Sequence, residues 1–410
     1  MPWRRTKKHV ERPIDVRRSL EESLETAAEG EEEEDLVELV DLDGASIAEA
    51  ATGEPDAERL PTEIADKLRE SLAGAVISEV RVAPHAPPET LPEHGIDLSV
   101  EAARGLWLKN PVLTASGTFG QGVEYAELID ITRIGAIVNK GTTPHARPGN
   151  PQYRIAETPA GILNSIGLEN PGAEEVARKY GKVWAKLGVP VIVNVAGYSA
   201  RDYVFVVEAL DGTPGVIAFE LNVSCPNVEG GMLFGSDPRL AAEVTRAVKD
   251  ATDKPVIVKL TPNAPRDVVA VALACEDAGA DGLTAINTVL GMKIDVAKRR
   301  PVLGTGSGGL SGPAIRPIAL HLTYQVAQAV SIPIIGAGGV TNASDALEFL
   351  MAGASAVQVG TATFADPTAP LTVIEGLAAY VREQGLASIR EIIGAAQRKR
   401  PNEPDTEYRE

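Results

Sequence analysis

PVIVNVAG (190–197), VIAFELNVS (216–224) and PVIVKL (255–260) are short runs in which nearly every residue is apolar and many are β-branched. Branched side chains suit a pleated backbone, and an unbroken apolar run, rather than an alternating one, fits a strand buried on both faces, as in parallel sheets. Five more runs lie outward from these: PVLTAS (111–116), AIVNKG (136–141), GLTAINT (282–288), PIIGAGG (333–339) and AVQVGT (356–361). Most are separated by amphipathic helical patterns, as over 237–252, 266–280, 315–330 and 342–354. Eight strand–helix units over roughly 280 residues are the arithmetic of a (β/α)8 TIM barrel, an α/β fold. A doubly wound sheet is the alternative, but it would usually have fewer strands and a phosphate-binding glycine turn after the first. The segment DLSVEAARGLWLKN (97–110) reads as a short hairpin ahead of the barrel.

The chain has 410 residues, 44% hydrophobic and only 4% aromatic, which fits one large α/β domain with an appendage. Its net charge of −18 argues against a nucleic acid or an anionic membrane as a partner. That charge is uneven, since residues 1–95 hold 24 acids against 11 bases. Residues 21–58 are too charged and too poor in large apolar groups to fold alone. Helical spacing appears over 61–77, and four prolines over 83–95 suggest a stiff linker. The expected division is therefore an acidic, largely disordered extension (1–95), a barrel (96–395) and a polar tail (396–410). A solvated tail is the plain reading of the extension, and a docking arm for a partner the sharper one. The two cysteines, Cys225 and Cys275, exclude a disulfide framework and cannot ligate an iron–sulfur cluster, so a reducing, cytoplasmic compartment is expected. No run of about 18 apolar residues exists to span a membrane, and the basic start lacks the apolar stretch of a secretory signal.

In a barrel of this kind, reactive groups sit where strands end and βα loops begin. Those positions hold Ser116, Lys140, Asn194, Asn222, Ser224, Cys225, Lys259, Asn287, Thr288, Gly338, Gly339, Gly360 and Thr361. Cys225, in NVSCPN, follows a strand directly and is followed by Pro226, and the polar strand ends favour a reactive thiol over a packing residue. Cys275, inside VALACEDAGA, reads as packing. An inward lysine on a barrel strand is costly unless it meets an anion or an electron-rich ring. Lys140 and Lys259 therefore admit two readings, a Schiff-base lysine or a pair stabilising negative charge on cofactor and substrate, and the crowd of amides favours the second. Asn164, Asn194, Asn222 and Asn287 suit a flat heterocycle with alternating N–H and C=O groups. GAGG (336–339) and VGT (359–361) follow strands seven and eight, where barrels commonly grip phosphate. A formal G-x-G-x-x-G, Gly304 to Gly309, falls in a long loop and opens no βαβ unit, so it is set aside. No metal site is expected, because the histidines are isolated or lie in the extension.

The motifs NPVLTASGTFG, NKGTT, ETPAGILNSIGLENPG, NVAG, ELNVSCPN, VKLTPN, INTVLGMKID, GGLSGPAI, IIGAGGV and VGTATFADP cover about residues 96–380. They closely resemble those of the class 1 dihydroorotate dehydrogenases, in particular the class 1B form. The resemblance implies an FMN-containing barrel that oxidises dihydroorotate to orotate in pyrimidine biosynthesis. It makes Cys225 the catalytic base and assigns Lys140, Asn164, Gly167, Leu168, Asn222, Asn287 and Thr288 to the substrate. It assigns Ala115, Ser116, Lys140, Asn194, Asn222, Lys259, Gly312, Gly338, Gly339, Gly360 and Thr361 to FMN. It also implies electrons passed to NAD through a separate iron–sulfur subunit carrying FAD and a [2Fe–2S] centre, with a homodimeric core in a heterotetramer. A related flavin barrel acting on another dihydropyrimidine and a non-catalytic scaffold are the alternatives. Residues 1–95 depart from the family pattern and leave assembly and regulation open.

Overall fold

Every one of the eight apolar runs forms a strand, because a Val/Ile-rich backbone buried on both faces must find its hydrogen bonds in neighbouring strands. They are β1 (Val112–Thr114), β2 (Ile137–Val138), β3 (Val191–Val195), β4 (Val216–Asn222), β5 (Val256–Lys259), β6 (Gly282–Ala285), β7 (Ile334–Ala337) and β8 (Ala356–Val359). The computed structural model describes residues 96–224, 234–263 and 268–397. The extension 1–95, with its expected helix over 61–77 and its linker, lies outside the described residues, as do Cys225 and residues 398–410 of the expected tail.

The strands are parallel and ordered β1-β8-β7-β6-β5-β4-β3-β2. The ring closes between β1 and β2: Thr114 N donates to Ala136 O at 3.3 Å and Gly135 N donates to Val112 O at 2.9 Å. Closure removes the two open edges that a doubly wound sheet keeps, so that alternative is excluded. The helices are α1 (Val123–Ala126), α2 (Ala173–Trp184), α3 (Ala200–Asp211), α4 (Pro238–Lys249), α5 (Val268–Asp277), α6 (Arg316–Ala329), α7 (Ala343–Met351) and α8 (Ala369–Glu383), with a single turn at Ala362–Ala365. All four helical patterns read from sequence are among them. In α4 the Asp237 side chain accepts from Arg239 N, Pro238 occupies the first turn, and Ala241, Val244, Thr245 and Val248 are buried at the three-and-four spacing of a core-facing stripe. Among the described residues no helix is long and apolar enough to cross a membrane.

The expected hairpin is present as Val100–Ala103 paired antiparallel with Leu106–Leu108. It packs at the N-terminal end of the barrel, where Arg104 N donates to Asp281 O just before β6. The opposite end carries a feature with no periodic signature in the sequence. Ile155–Thr158 and Gly161–Asn164, from the β2–α2 connection, join Val289–Gly291 and Gly308–Ser311, from the β6–α6 connection, in a four-stranded antiparallel sheet. Its strands are three or four residues long and rich in glycine, so neither apolar alternation nor length announced them. This sheet ties two distant loops together at the end where strand termini gather.

Candidate functional site

The interior of β3–β6 and β8 is polar where an ordinary barrel would be apolar. Glu220 in β4 is fully buried and accepts on both oxygens. Asn194 Nδ2 and Lys259 Nζ donate to its Oε1 at 2.7 and 3.3 Å, while Thr284 Oγ1 and Gln358 Nε2 donate to its Oε2 at 2.7 and 2.5 Å. Lys259 Nζ also donates to Gln358 Oε1 at 2.8 Å. Strand register sets this up, since Glu220 lies opposite Asn194 and Lys259 lies opposite Thr284. The bond from Gln358 spans the ring, because β8 and β4 are not neighbours. Lys259 thus meets an anion, as an inward lysine requires, and that anion is supplied by this chain. Asn194 Oδ1 is buried with no hydrogen-bond partner among the described residues.

Around this floor the strand ends are held by further side chains. Asn139, after β2, accepts from Asn194 N at 2.8 Å and donates to Gln121 Oε1 at 3.0 Å. Gln121 in turn accepts on its backbone oxygen from Trp184 Nε1 at 2.9 Å, which anchors the loop to α2. Lys140 N donates to Gly120 O at 2.7 Å, and its half-buried side chain has no polar partner among the described residues. Leu168 adopts φ 55° and Gly167 φ 81°, a tight turn that the NSIGL segment needs. A Cβ on Gly141 would lie 3.2 Å from Leu168 Cδ2 and 3.0 Å from Asn194 Oδ1, so the turn after β2 and the NSIGL loop meet over the unpaired amide oxygen.

The other expected substrate residues form one connected chain. Asn287 Nδ2 donates to Asn222 Oδ1 at 3.1 Å, and Thr288 N donates to Asn287 Oδ1 at 2.7 Å. Asn164 Nδ2 donates to Gly309 O at 3.3 Å, and a Cβ on Gly309 would strike Thr288 Oγ1 at 2.1 Å. Gly309, set aside as part of a spurious fingerprint, thus has a packing reason to be glycine. Asn222 is fixed from behind by Tyr203 OH, which donates to its carbonyl at 2.8 Å, and its Oδ1 also accepts from Ser224 N at 3.2 Å. Ser224 Oγ is buried without a partner among the described residues. The chain's next residue, Cys225, lies outside them.

A glycine cradle occupies the ends of β7 and β8. Gly312, Gly338 and Gly339 have φ of 93°, 129° and 82°, a region open to glycine and strained for other residues. A Cβ on Gly339 would lie 2.9 Å from Gly312 O and 2.7 Å from Arg316 Cβ, at the start of α6; one on Gly360 would lie 3.0 Å from Ala115 Cβ. Thr361 and Ser311 share a 2.8 Å hydroxyl hydrogen bond, which joins β8 to the inserted sheet. Ser116 follows Ala115, half-buried, at the end of β1. Arg316 is held in an ion pair with the buried Asp345.

The structure therefore brings Ala115, Gly312, Gly338, Gly339, Gly360 and Thr361 together in one group, and Asn164, Asn222, Asn287 and Thr288 in another. Lys140, Asn194, Lys259, Gly167 and Leu168 lie on the floor and the turns above it. Glu220, Gln358, Thr284, Asn139 and Gln121 were missed. A signal was present for two of them, since an acid in VIAFELNVS and an amide in AVQV are polar intrusions in buried strands and demand partners. Cys275 is fully buried on α5, as expected.

Residues 98–381 match the family model described as dihydroorotate dehydrogenase. A relative from Geotalea uraniireducens is 53% identical over 300 residues, 73% of this chain and 98% of that protein. Others from Desulforamulus reducens and Geobacillus kaustophilus are 55% and 54% identical over 288 and 291 residues, 70% and 71% of this chain and 94% and 93% of theirs. All three are described as dihydroorotate dehydrogenase B (NAD(+)), catalytic subunit. With a closed parallel barrel, a glycine cradle and a ring of amides at the expected positions, the chain belongs to the dihydroorotate dehydrogenase family, on the class 1B side to which its motifs pointed.

Proposed function

We propose that this chain oxidises dihydroorotate to orotate with bound FMN, with Cys225 as the base, and passes the electrons to NAD through a partner subunit. The observation that carries the reading is the pairing of the buried, unpartnered Asn194 Oδ1 with the glycine cradle at the ends of β7 and β8. An acceptor in want of an N–H and a backbone surface with no side chains in the way suit the two ends of one molecule, a heterocycle and a phosphate. The residues fit FMN: Ala115, Ser116, Gly312, Gly338, Gly339, Gly360 and Thr361 would hold its phosphate-bearing end, and Lys140, Asn194, Asn222 and Lys259 its ring. When bound, FMN supplies the acceptor for hydride.

The chain's own residues have distinct tasks. Lys140, Asn164, Gly167, Leu168, Asn222, Asn287 and Thr288 bind and orient the pyrimidine, whose alternating amide edges match amide side chains. The tether between Asn287 and Asn222 fixes both amides before the substrate arrives, which lowers the entropy cost of a productive pose. Cys225 Sγ takes the proton from the ring carbon next to the carbonyl, a task suited to a thiolate with positive neighbours. The relatives' description as NAD(+)-type catalytic subunits supports a second subunit as the route for electrons; the family resemblance adds to the proposal FAD and a [2Fe–2S] centre on that subunit and a homodimer of this chain at the core. Anaerobic mixing of the purified protein with dihydroorotate should bleach the yellow flavin spectrum, and NAD should restore it only with the partner present. A colourless protein would overturn the reading.

A further inference from the structure

Stability alone does not explain the floor of the barrel. Burying a carboxylate and an ammonium together is costly, and apolar residues of the same volume usually serve as well or better. Yet Glu220 is fully buried, Lys259 nearly so, and four polar side chains from β3, β5, β6 and β8 converge on that one carboxylate of β4.

A carboxylate only accepts, so each neighbour must turn a donor toward it. Asn194 therefore turns Nδ2 to Glu220, and its carbonyl oxygen is left facing away and unpartnered. Gln358 turns Nε2 to Glu220, which leaves its Oε1 to accept from Lys259. Of the three donors on Lys259, two go to Glu220 and Gln358, and the third has no partner among the described residues. One group thus decides the facing of two amides and the seat of one cation.

We infer that Glu220 is a positioning residue for the flavin: it fixes Asn194 with its acceptor outward and offsets the charge of Lys259, and through these it sets the cofactor's affinity and reduction potential. The inference rests on the FMN reading above and deepens it. Two-electron reduction adds negative charge to the flavin's pyrimidine ring. The Lys259–Glu220 pair is neutral overall, so removing the carboxylate charge leaves the lysine uncompensated and favours the reduced form. Glutamine keeps the shape but carries its own NH2. It can satisfy Asn194 or Gln358 in their present orientations, not both.

The test uses the full chain as purified with its flavin. Glu220→Gln is expected to weaken FMN binding about tenfold and to favour the reduced flavin about tenfold, an upward potential shift of about 30 mV for a two-electron couple. Thr284→Val, which removes one donor to Glu220 Oε2 but keeps the carboxylate charge, should weaken FMN binding by less and move the potential slightly downward, opposite to Glu220→Gln. The double variant Glu220→Gln with Asn194→Asp moves the carboxylate by one hydrogen bond and keeps an acceptor outward, and should restore affinity to within about threefold of the parent. A purely structural role would lower the melting temperature and leave the potential alone. Unchanged potential and affinity in Glu220→Gln would overturn the inference while the flavin reading stands, and a colourless parent would overturn both. Where Glu220→Gln does not accumulate, Thr284→Val and the double variant decide by the same two measurements.

Discussion

Gly339→Ala tests the cradle most directly. The residue sits just after β7 with φ 82°, where a Cβ would lie 2.7 Å from Arg316 Cβ and 2.9 Å from Gly312 O. Placing an L residue in the left-handed region costs about 1–2 kcal/mol, and forcing a methyl into packed backbone costs about 1–3 kcal/mol more. The sum, about 2–5 kcal/mol, appears in one of two ways. If the backbone holds, the melting temperature falls, by about 2–4 °C per kcal/mol at a domain size of 150–250 residues. If the Gly312 loop gives way instead, the strain is relieved by opening the cradle, and FMN affinity drops about tenfold for each 1.4 kcal/mol. Thermal melting with and without FMN, together with fluorescence titration of the apoprotein, separates the two. Gly385→Ala is the control, because Gly385 has φ 66° and nothing within 4 Å of its would-be Cβ, so only the conformational cost of about 1–2 kcal/mol applies. Should Gly339→Ala melt and bind FMN like Gly385→Ala, the ends of β7 and β8 do not grip the cofactor.

Cys225→Ala should keep its flavin yet oxidise dihydroorotate at least about a hundredfold more slowly in single-turnover bleaching, and undiminished turnover would remove the base assignment. Asn287→Ala strips the tether from Asn222 and should raise KM for dihydroorotate about tenfold at unchanged FMN content, in line with about 1–3 kcal/mol for an orphaned polar group; an unchanged KM would place the substrate elsewhere. Burial pushes the Cys275 thiol from 9.0 up to about 12, against a weaker opposite pull from its hydrogen bond with Thr245, so a thiol reagent at pH 8 should leave it unmodified until the protein is denatured. Because its folded pKa is raised, the stability Cys275 contributes is intact below about pH 9 and is lost as pH climbs toward 12. A Cys275→Ala variant should therefore show a shallower loss of stability over that range, and an identical alkaline profile would contradict the burial argument.

How far the site was legible depended on what kind of signal each residue leaves. Gly338, Gly339, Gly360 and Thr361 stood out because they end apolar runs, and the structure gathers them with Gly312 and Ala115. Asn164 and Gly309 lie 145 positions apart, and the bond between them depends on an inserted sheet whose short strands have no periodic pattern. Glu220 was visible as an anomaly in a buried strand, but its partners come from four other strands and no local spacing links them.

The order of apolar runs and helical stripes determined by itself that eight strands alternate with helices, because burial on both faces leaves its mark residue by residue along the chain. It also marked which residues end those strands, and hence most of the positions proposed for cofactor and substrate. Only the closed ring decided that Lys259 answers to Glu220 rather than to a ligand alone, that Gln358 reaches across to β4, and that Asn194 keeps one oxygen without a partner. Those outcomes follow from strand register and barrel diameter, which arise when distant segments pair and which no stretch of the chain encodes alone.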